Sequence, residues 1–200
     1  MSTIKTNQLA HTANGASVYT LPQTDGSAGQ VLRTDGSGNL SWANDSGVIL
    51  QVKQTDKTDT FDGNATTFSD ITGLSVSITP SATTSKILVR ANLLCGISSN
   101  SYVGFRLMRD STAIGLPDAI SNSTRSGFGH GAVSSANQNY KLIQTGQEFL
   151  DSPSSTSAIT YKIQYIVWSS TFYINRPVSL YDDRRDMLGK SSLTVMEVAA

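Results

Sequence analysis

Two hundred residues of 21.3 kDa carry fifteen Lys plus Arg against fifteen Asp plus Glu, so the chain has no formal net charge. That balance excludes the clustered cations that a nucleic-acid backbone needs. Charged residues make up only 15% of the chain, below the quarter or so usual in soluble domains, and Ser, Thr, Asn and Gln give a neutral, hydroxyl-rich surface in their place.

A single cysteine, Cys95, leaves no partner for an internal disulfide, so folding does not depend on an oxidising compartment. Its place at the end of an apolar run predicts a buried structural thiol. The opening MSTIKTNQLA lacks the apolar region of a secretory leader. No stretch approaches the roughly twenty apolar residues of a membrane helix, so no membrane insertion is expected.

Residues 1–21 are polar, with Ile4, Leu9, Val18, Tyr19 and Leu21 scattered at no helical period. Alone, this segment buries too little to fold, so it should meet copies of itself or a docking site. Residues 22–47 hold an internal echo, Thr24-Asp25-Gly26-Ser27 and Thr34-Asp35-Gly36-Ser37. Asp-Gly pairs predict tight turns, with short strands at Val31-Leu32 and Leu40–Trp42 between them. This neck is too small for a core of its own. Leu32, Leu40 and Trp42 are its candidate packing residues across a chain interface. Residues 44–47 read as a hinge.

Residues 48–54 read as a strand, and 55–67 as polar and turn-rich. The centre is DITGLSVSITPSATTSKILVRANLL, residues 70–94. Leu74, Val76 and Ile78 alternate with Ser75, Ser77 and Thr79 as in a half-buried strand. Pro80 ends that strand because it has no N–H for a ladder. Ile87 to Leu94 is the densest apolar run, and the two pieces read together as a hairpin. Residues 96–101 form a loop. Residues 102–109 form a strand with Val103, Phe105 and Leu107 on one face, and Asp110-Ser111-Thr112 turns the chain.

Residues 118–139 are long, polar and without apolar period, the kind of loop that usually serves a function. Leu142-Ile143 and Phe149-Leu150 bracket residues 144–148. In 160–169, Tyr161, Ile163, Tyr165 and Val167 take one side, and Ile166 and Trp168 predict burial of the other side toward the end. Residues 171–175 are short, 176–190 hold most of the charge clustering, and 191–198 close the chain. About nine strands and no defensible helix predict an all-β antiparallel sandwich, jelly-roll-like, over residues 48–200.

The run TDGSAGQVLRTDGSGNLSWA resembles the linker of bacteriophage tail-fibre and related virion fibre proteins, above all those of phages infecting cyanobacteria. The opening MSTIKTNQLA and the later ILQVKQTD, ITGLSVSITPSATTSKILV, MRDSTAIG, FLDSPSSTSAITYKI and SSLTVMEVAA are similar to the carboxy-terminal head of such fibres. The resemblance implies a homotrimeric virion fibre with a β-rich head. Residues 1–21 would then attach to a tail, baseplate or capsid protein, 22–47 would form the neck, and the head would contact a host-surface glycan or protein. A purely structural virion component without receptor binding is the alternative.

No residue pattern points to an enzyme or a cofactor. His11 and His130 lack companions at metal-ligand spacing, although histidines can meet on a threefold axis. Asp182-Asp183-Arg184-Arg185-Asp186 reads as a self-compensated surface loop rather than a glycosidase carboxylate pair. Asp25 and Asp35 lack the alternating acidic ligands of a calcium loop and read as turn formers. Gly127-Phe128-Gly129-His130-Gly131 does not follow a strand and open a helix, so it is no phosphate cradle. It reads as a flexible loop presenting an aromatic ring and an imidazole. With Asn122, Arg125, Asn137 and Gln138, Phe128 and His130 make a candidate receptor-binding loop for carbohydrate. The acceptor triplets at Asn64 and Asn122 are coincidences of a Ser/Thr-rich chain.

Overall fold

The computed structural model describes residues 7–10, 18–44, 49–98, 100–132, 138–181, 183–184 and 186–199. The chain divides into two compact units, Met1–Gly47 and Val48–Ala200.

In the first unit, β1 (Gln8–Ala10) pairs with β2 (Val18–Thr20), and β3 (Gln30–Thr34) with β4 (Leu40–Asn44), both antiparallel. The turn of the second hairpin is built by Asp35. Its carboxylate accepts from the Ser37 amide at 2.8 Å, the Asn39 amide at 3.1 Å and Asn39 Nδ2 at 2.7 Å. Gly36 and Gly38 supply the positive φ that such a turn demands. The first Asp-Gly plays a different part. Trp42 Nε1 donates to the Thr24 carbonyl at 2.7 Å, and a Cβ on Gly26 would lie 2.5 Å from Trp42 Cδ2. The indole lies over a glycine of its own chain. None of residues 7–9 and 18–43 of this unit is buried.

The second unit is a two-sheet antiparallel sandwich with no α-helix among its described residues. Its strands are β5 (Ile49–Lys57), β6 (Phe61–Gly63), β7 (Ser69–Ile78), β8 (Lys86–Ile97), β9 (Ser101–Arg109), β10 (Thr112–Ile114), β11 (Phe128–Ala132), β12 (Ile143–Asp151), β13 (Ile159–Val167), β14 (Phe172–Ile174) and β15 (Ser191–Val198). One sheet runs β5-β15-β8-β14-β6, with β12 also on β8. The other runs β10-β9-β13-β7, with β11 also on β9. The core fills from both inner faces: Ile87, Val89, Leu93, Leu193 and Val195 from the first, Leu74, Ile78, Phe105, Leu107, Tyr161 and Ile163 from the second. Phe172 closes one end, with ring centroids 4.7 Å from Tyr165, 5.5 Å from Phe105 and 6.0 Å from Phe61.

Residues 70–94 are not a hairpin. β7 pairs with β13, whereas β8 pairs with β12, β14 and β15. The segment between them is an arch that carries the chain from one sheet to the other. Alternation fixes which face of each strand is buried, and that is equally true of two strands side by side or facing across a core. The arch is held by Glu197, fully buried on β15. Its carboxylate accepts from the amide and hydroxyl of Ser81, each at 2.6 Å, and from Gln51 Nε2 at 2.6 Å.

Three smaller departures have similar causes. The strand expected at 48–54 runs on to Lys57. Residues 143–151 form one continuous strand, which the apolar pattern shows only at its two ends because the inward positions between them include polar Thr145 and Gln147. Trp168 lies just past the end of β13, out of the sheet's cover, and is exposed rather than buried.

Two buried polar groups join elements far apart in sequence. Asp151 of β12 accepts from Arg109 Nη1 at 2.9 and 3.0 Å and from the Tyr161 hydroxyl at 2.7 Å, tying the sheets together. Asn175, in the left-handed region at φ 65°, donates from Nδ2 to the carbonyls of Lys57 and Asp59, both at 2.8 Å. Its Oδ1 accepts from Ser191 at 2.7 Å.

Candidate ligand groove on the five-stranded sheet

The outer face of the five-stranded sheet follows from its register. Strands β9 and β13 turn Val103, Phe105, Leu107, Ile163, Tyr165 and Val167 inward. The intervening residues Tyr102, Gly104, Arg106, Gln164 and Ile166 therefore face out. Directly opposed residues of an antiparallel pair share a face. Ile166 lies opposite Gly104, Gly104 opposite Gly129, and Tyr102 opposite Gly131. Phe128, Gly129, His130 and Gly131 of the Gly-Phe-Gly-His-Gly motif thus lie in strand β11, not in a flexible loop. Its glycines lie outward, and Phe128 and His130 lie on the side of Phe105 and Val103.

That arrangement leaves a shallow groove of about 560 Å³. Gly104 and Gly129 floor it, and Tyr102, Ile166 and Trp168 form its apolar side. Thr66, Thr124 and Ser126 add hydroxyls. The Trp168 amide donates to the Tyr102 carbonyl at 3.1 Å, so the two aromatic residues are neighbours. Trp168 is 81% exposed and Tyr102 57%. One row further along the same face, Arg106 donates to Gln164 Oε1 from Nε at 3.0 Å and from Nη2 at 2.7 Å. Gln164 donates on to Asp70 at 2.7 Å, and Lys162 donates to Asp70 at 2.7 Å. Burial would raise the Asp70 carboxyl, but these donors outweigh it and hold it below the usual range. The Arg106 guanidinium also lies 3.8 Å from the centroid of the Phe68 ring.

The sequence-based candidates divide. Asn122 and Arg125 are exposed, and Arg125 Nε donates to the Pro117 carbonyl at 2.8 Å, bracing its own loop. Phe128 stacks on Phe105 with ring centroids 5.3 Å apart and packs on the core, so its ring is not offered to a ligand. His130 lines the groove with its strand and is half-buried. Its Nε2 is buried without a hydrogen-bond partner among the described residues, and burial pushes its pKa below the usual imidazole value. Asn137 lies outside the described residues, and Gln138 opens a 3₁₀ turn, Gln138–Tyr140. Sequence reasoning missed Tyr102 and Trp168. The signal was the alternation itself, which puts Tyr102, two residues before Gly104, on the face away from Val103.

A second concavity of about 670 Å³ lies on the outer face of the six-stranded sheet. Its polar groups already partner one another: Gln144 with Asn92 at 2.8 Å, Thr194 with Gln54 at 2.8 Å, and Arg90 with Glu148 at 2.9 Å. The adjacent row, Val52, Met196, Leu88 and Leu150, is apolar across four strands. Among the described residues no group of three or more His, Cys, Asp or Glu stands close enough to hold a metal ion.

No known family pattern and no curated protein matches this chain. Among solved structures it is similar to the infectious bursal disease virus Gt strain structure, at 13% identity and a TM-score of 0.41, over 80% of this chain and 40% of that one. It is also similar to the VP2 subviral particle of the same virus, at 11% identity and a TM-score of 0.40, again over 80% and 40%. The chain spans about 40% of the length of these structures. At that degree of likeness no function passes from them to this chain.

Proposed function

We propose that the chain is a homotrimeric virion fibre protein. Residues 1–21 attach it to a phage tail or capsid, 22–47 form the neck, and the sandwich contacts the host surface without turnover or cofactor. One observation carries the trimer. Residues 7–9 and 18–43 of the first unit include no buried side chain, yet Leu9, Val18, Tyr19, Val31, Leu32 and Trp42 are all exposed large apolar side chains. Leu32 stands opposite Trp42 across the β3–β4 pair, so both belong to one face. Three copies of that face supply the core that one copy lacks. The resemblance of the neck and head segments to phage fibres supplies the rest of the reading. Three copies also give avidity, so weak contacts suffice to hold a cell.

The test is the solution mass of the intact chain. A trimer of 21.3 kDa chains has a mass of about 64 kDa. Leu32→Asp should shift it toward the single-chain mass. A monomeric wild-type chain refutes the trimer. Added intact protein should also block adsorption of the virus, and failure to block it refutes host contact in favour of a purely structural role.

A further inference from the structure

We propose that the groove beside Trp168 and Tyr102 binds an uncharged sugar, an inference that rests on the host-contact reading above. Trp168 and Tyr102 are side by side and mostly in water, although such rings usually give the largest apolar contact in a core or interface. Both have few rotatable bonds and present a rigid face at low entropic cost. Beside them, glycines let side chains lie close against the backbone. A Cβ on Gly131 would lie 2.6 Å from Tyr102 Cδ1, and one on Gly104 would lie 3.0 Å from Ser126 Cβ. The hydroxyls of Thr66, Thr124 and Ser126 border this floor.

The charge pattern selects the ligand. No Lys, Arg, Asp or Glu lines the groove. A phosphate, sulfate or carboxylate entering it would find no counter-charge. A long aliphatic ligand would leave the hydroxyls unpaired. A pyranose matches both halves, its C–H face on the rings and its hydroxyl edge toward Ser and Thr. The volume of about 560 Å³ falls within the range of about 300–1,000 Å³ usual for small-ligand sites.

The experiment uses the intact chain against immobilised polymers bearing glucose, galactose, mannose or N-acetylglucosamine. Sialylated and sulfated polymers serve alongside, and binding is read by surface plasmon resonance. Binding to at least one neutral polymer is expected, with Trp168→Ala weakening it about tenfold or more, the size of one good aromatic contact. Trp168 is exposed enough for this variant to fold, which an unchanged melting temperature verifies. Tyr102→Ala should weaken the same polymer. Binding of no neutral polymer, binding of acidic polymers alone, or binding unchanged by Trp168→Ala overturns the proposal.

Adsorption blocking separates the two readings. If no neutral polymer binds while wild type and Trp168→Ala block equally, host contact stands and this site falls. If Trp168→Ala loses blocking while no sugar binds, the groove takes a protein and the sugar is refuted. If a neutral polymer binds through Trp168 but nothing blocks adsorption, the site stands and host contact falls.

Discussion

Replacing Glu197 by Gln tests how the arch between the two sheets is held. Burial by itself would raise the Glu197 carboxyl. Hydrogen bonds from Gln51, Ser81 and Ser85 outweigh it and bring the pKa down from 4.5 to about 2. At about 1.4 kcal/mol per tenfold change in proton affinity, that drop is worth about 3 kcal/mol of folding stability. The sign follows from the lowered value. The unfolded chain takes up the proton first, so the contribution is complete above pH 4.5 and is lost as pH falls toward 2. Glutamine cannot titrate, and it places an amide N–H₂ against groups that are themselves donors. Its variant is therefore less stable near neutrality by a roughly constant amount plus the charge contribution. Urea unfolding of both proteins, at one protein concentration and at several values between about pH 6 and about pH 2, reads the difference. The gap should narrow by about 3 kcal/mol across that range, because other carboxylates titrate equally in both proteins. Parallel curves would refute the reasoning and leave Glu197 as a packing residue only.

Two further substitutions or probes follow from buried groups. Asn175→Ala removes three buried hydrogen bonds and places a Cβ-bearing residue without local support at φ 65°. It should cost about 3–5 kcal/mol in denaturant unfolding. Asn175→Gly loses the same bonds without the strain, so it should be milder by about 1 kcal/mol, and equal losses would contradict the backbone part of the account. Burial pushes the Cys95 thiol up to about 12. Native protein should therefore resist maleimide at about pH 7.5 and label fully in denaturant. Prompt labelling of native protein would show the apolar run of β8 to be open.

The sandwich was legible where one face of a strand is apolar and the other polar. β7, β9, β13 and β15 show this, and their inner residues Leu74, Val103, Phe105, Tyr161, Ile163 and Leu193 are all core. Partner choice was not legible. Leu74-Val76-Ile78 and Ile87-Val89 carry the same alternation whether β7 and β8 pair or face each other. What separates the alternatives is Glu197, more than a hundred residues from the Ser81 it holds. Strands with polar inward positions, such as Thr145 and Gln147 of β12, were illegible because period-2 reading weighs hydrophobicity, and a side chain can turn inward for hydrogen bonds instead. Gln147 Nε2 does so, donating to the Gly115 carbonyl at 2.6 Å.

The candidate site shows the same limit from the other side. Glycine is permissive, so Gly127, Gly129 and Gly131 read as mobility. Once β11 is paired, their missing side chains become the useful feature. Tyr102 can lie close over Gly131 only because no Cβ stands there, and Gly129 lies directly beside Gly104 in the groove floor. The aromatic residue chosen from the sequence, Phe128, turned inward by the same alternation that freed the floor. The exposed rings came instead from Tyr102 at the start of β9 and Trp168 just past the end of β13, sixty-six positions apart and joined by one backbone hydrogen bond. Periodicity assigns faces strand by strand, whereas a groove needs three strands in register. The sheet brought together residues that no local motif connects.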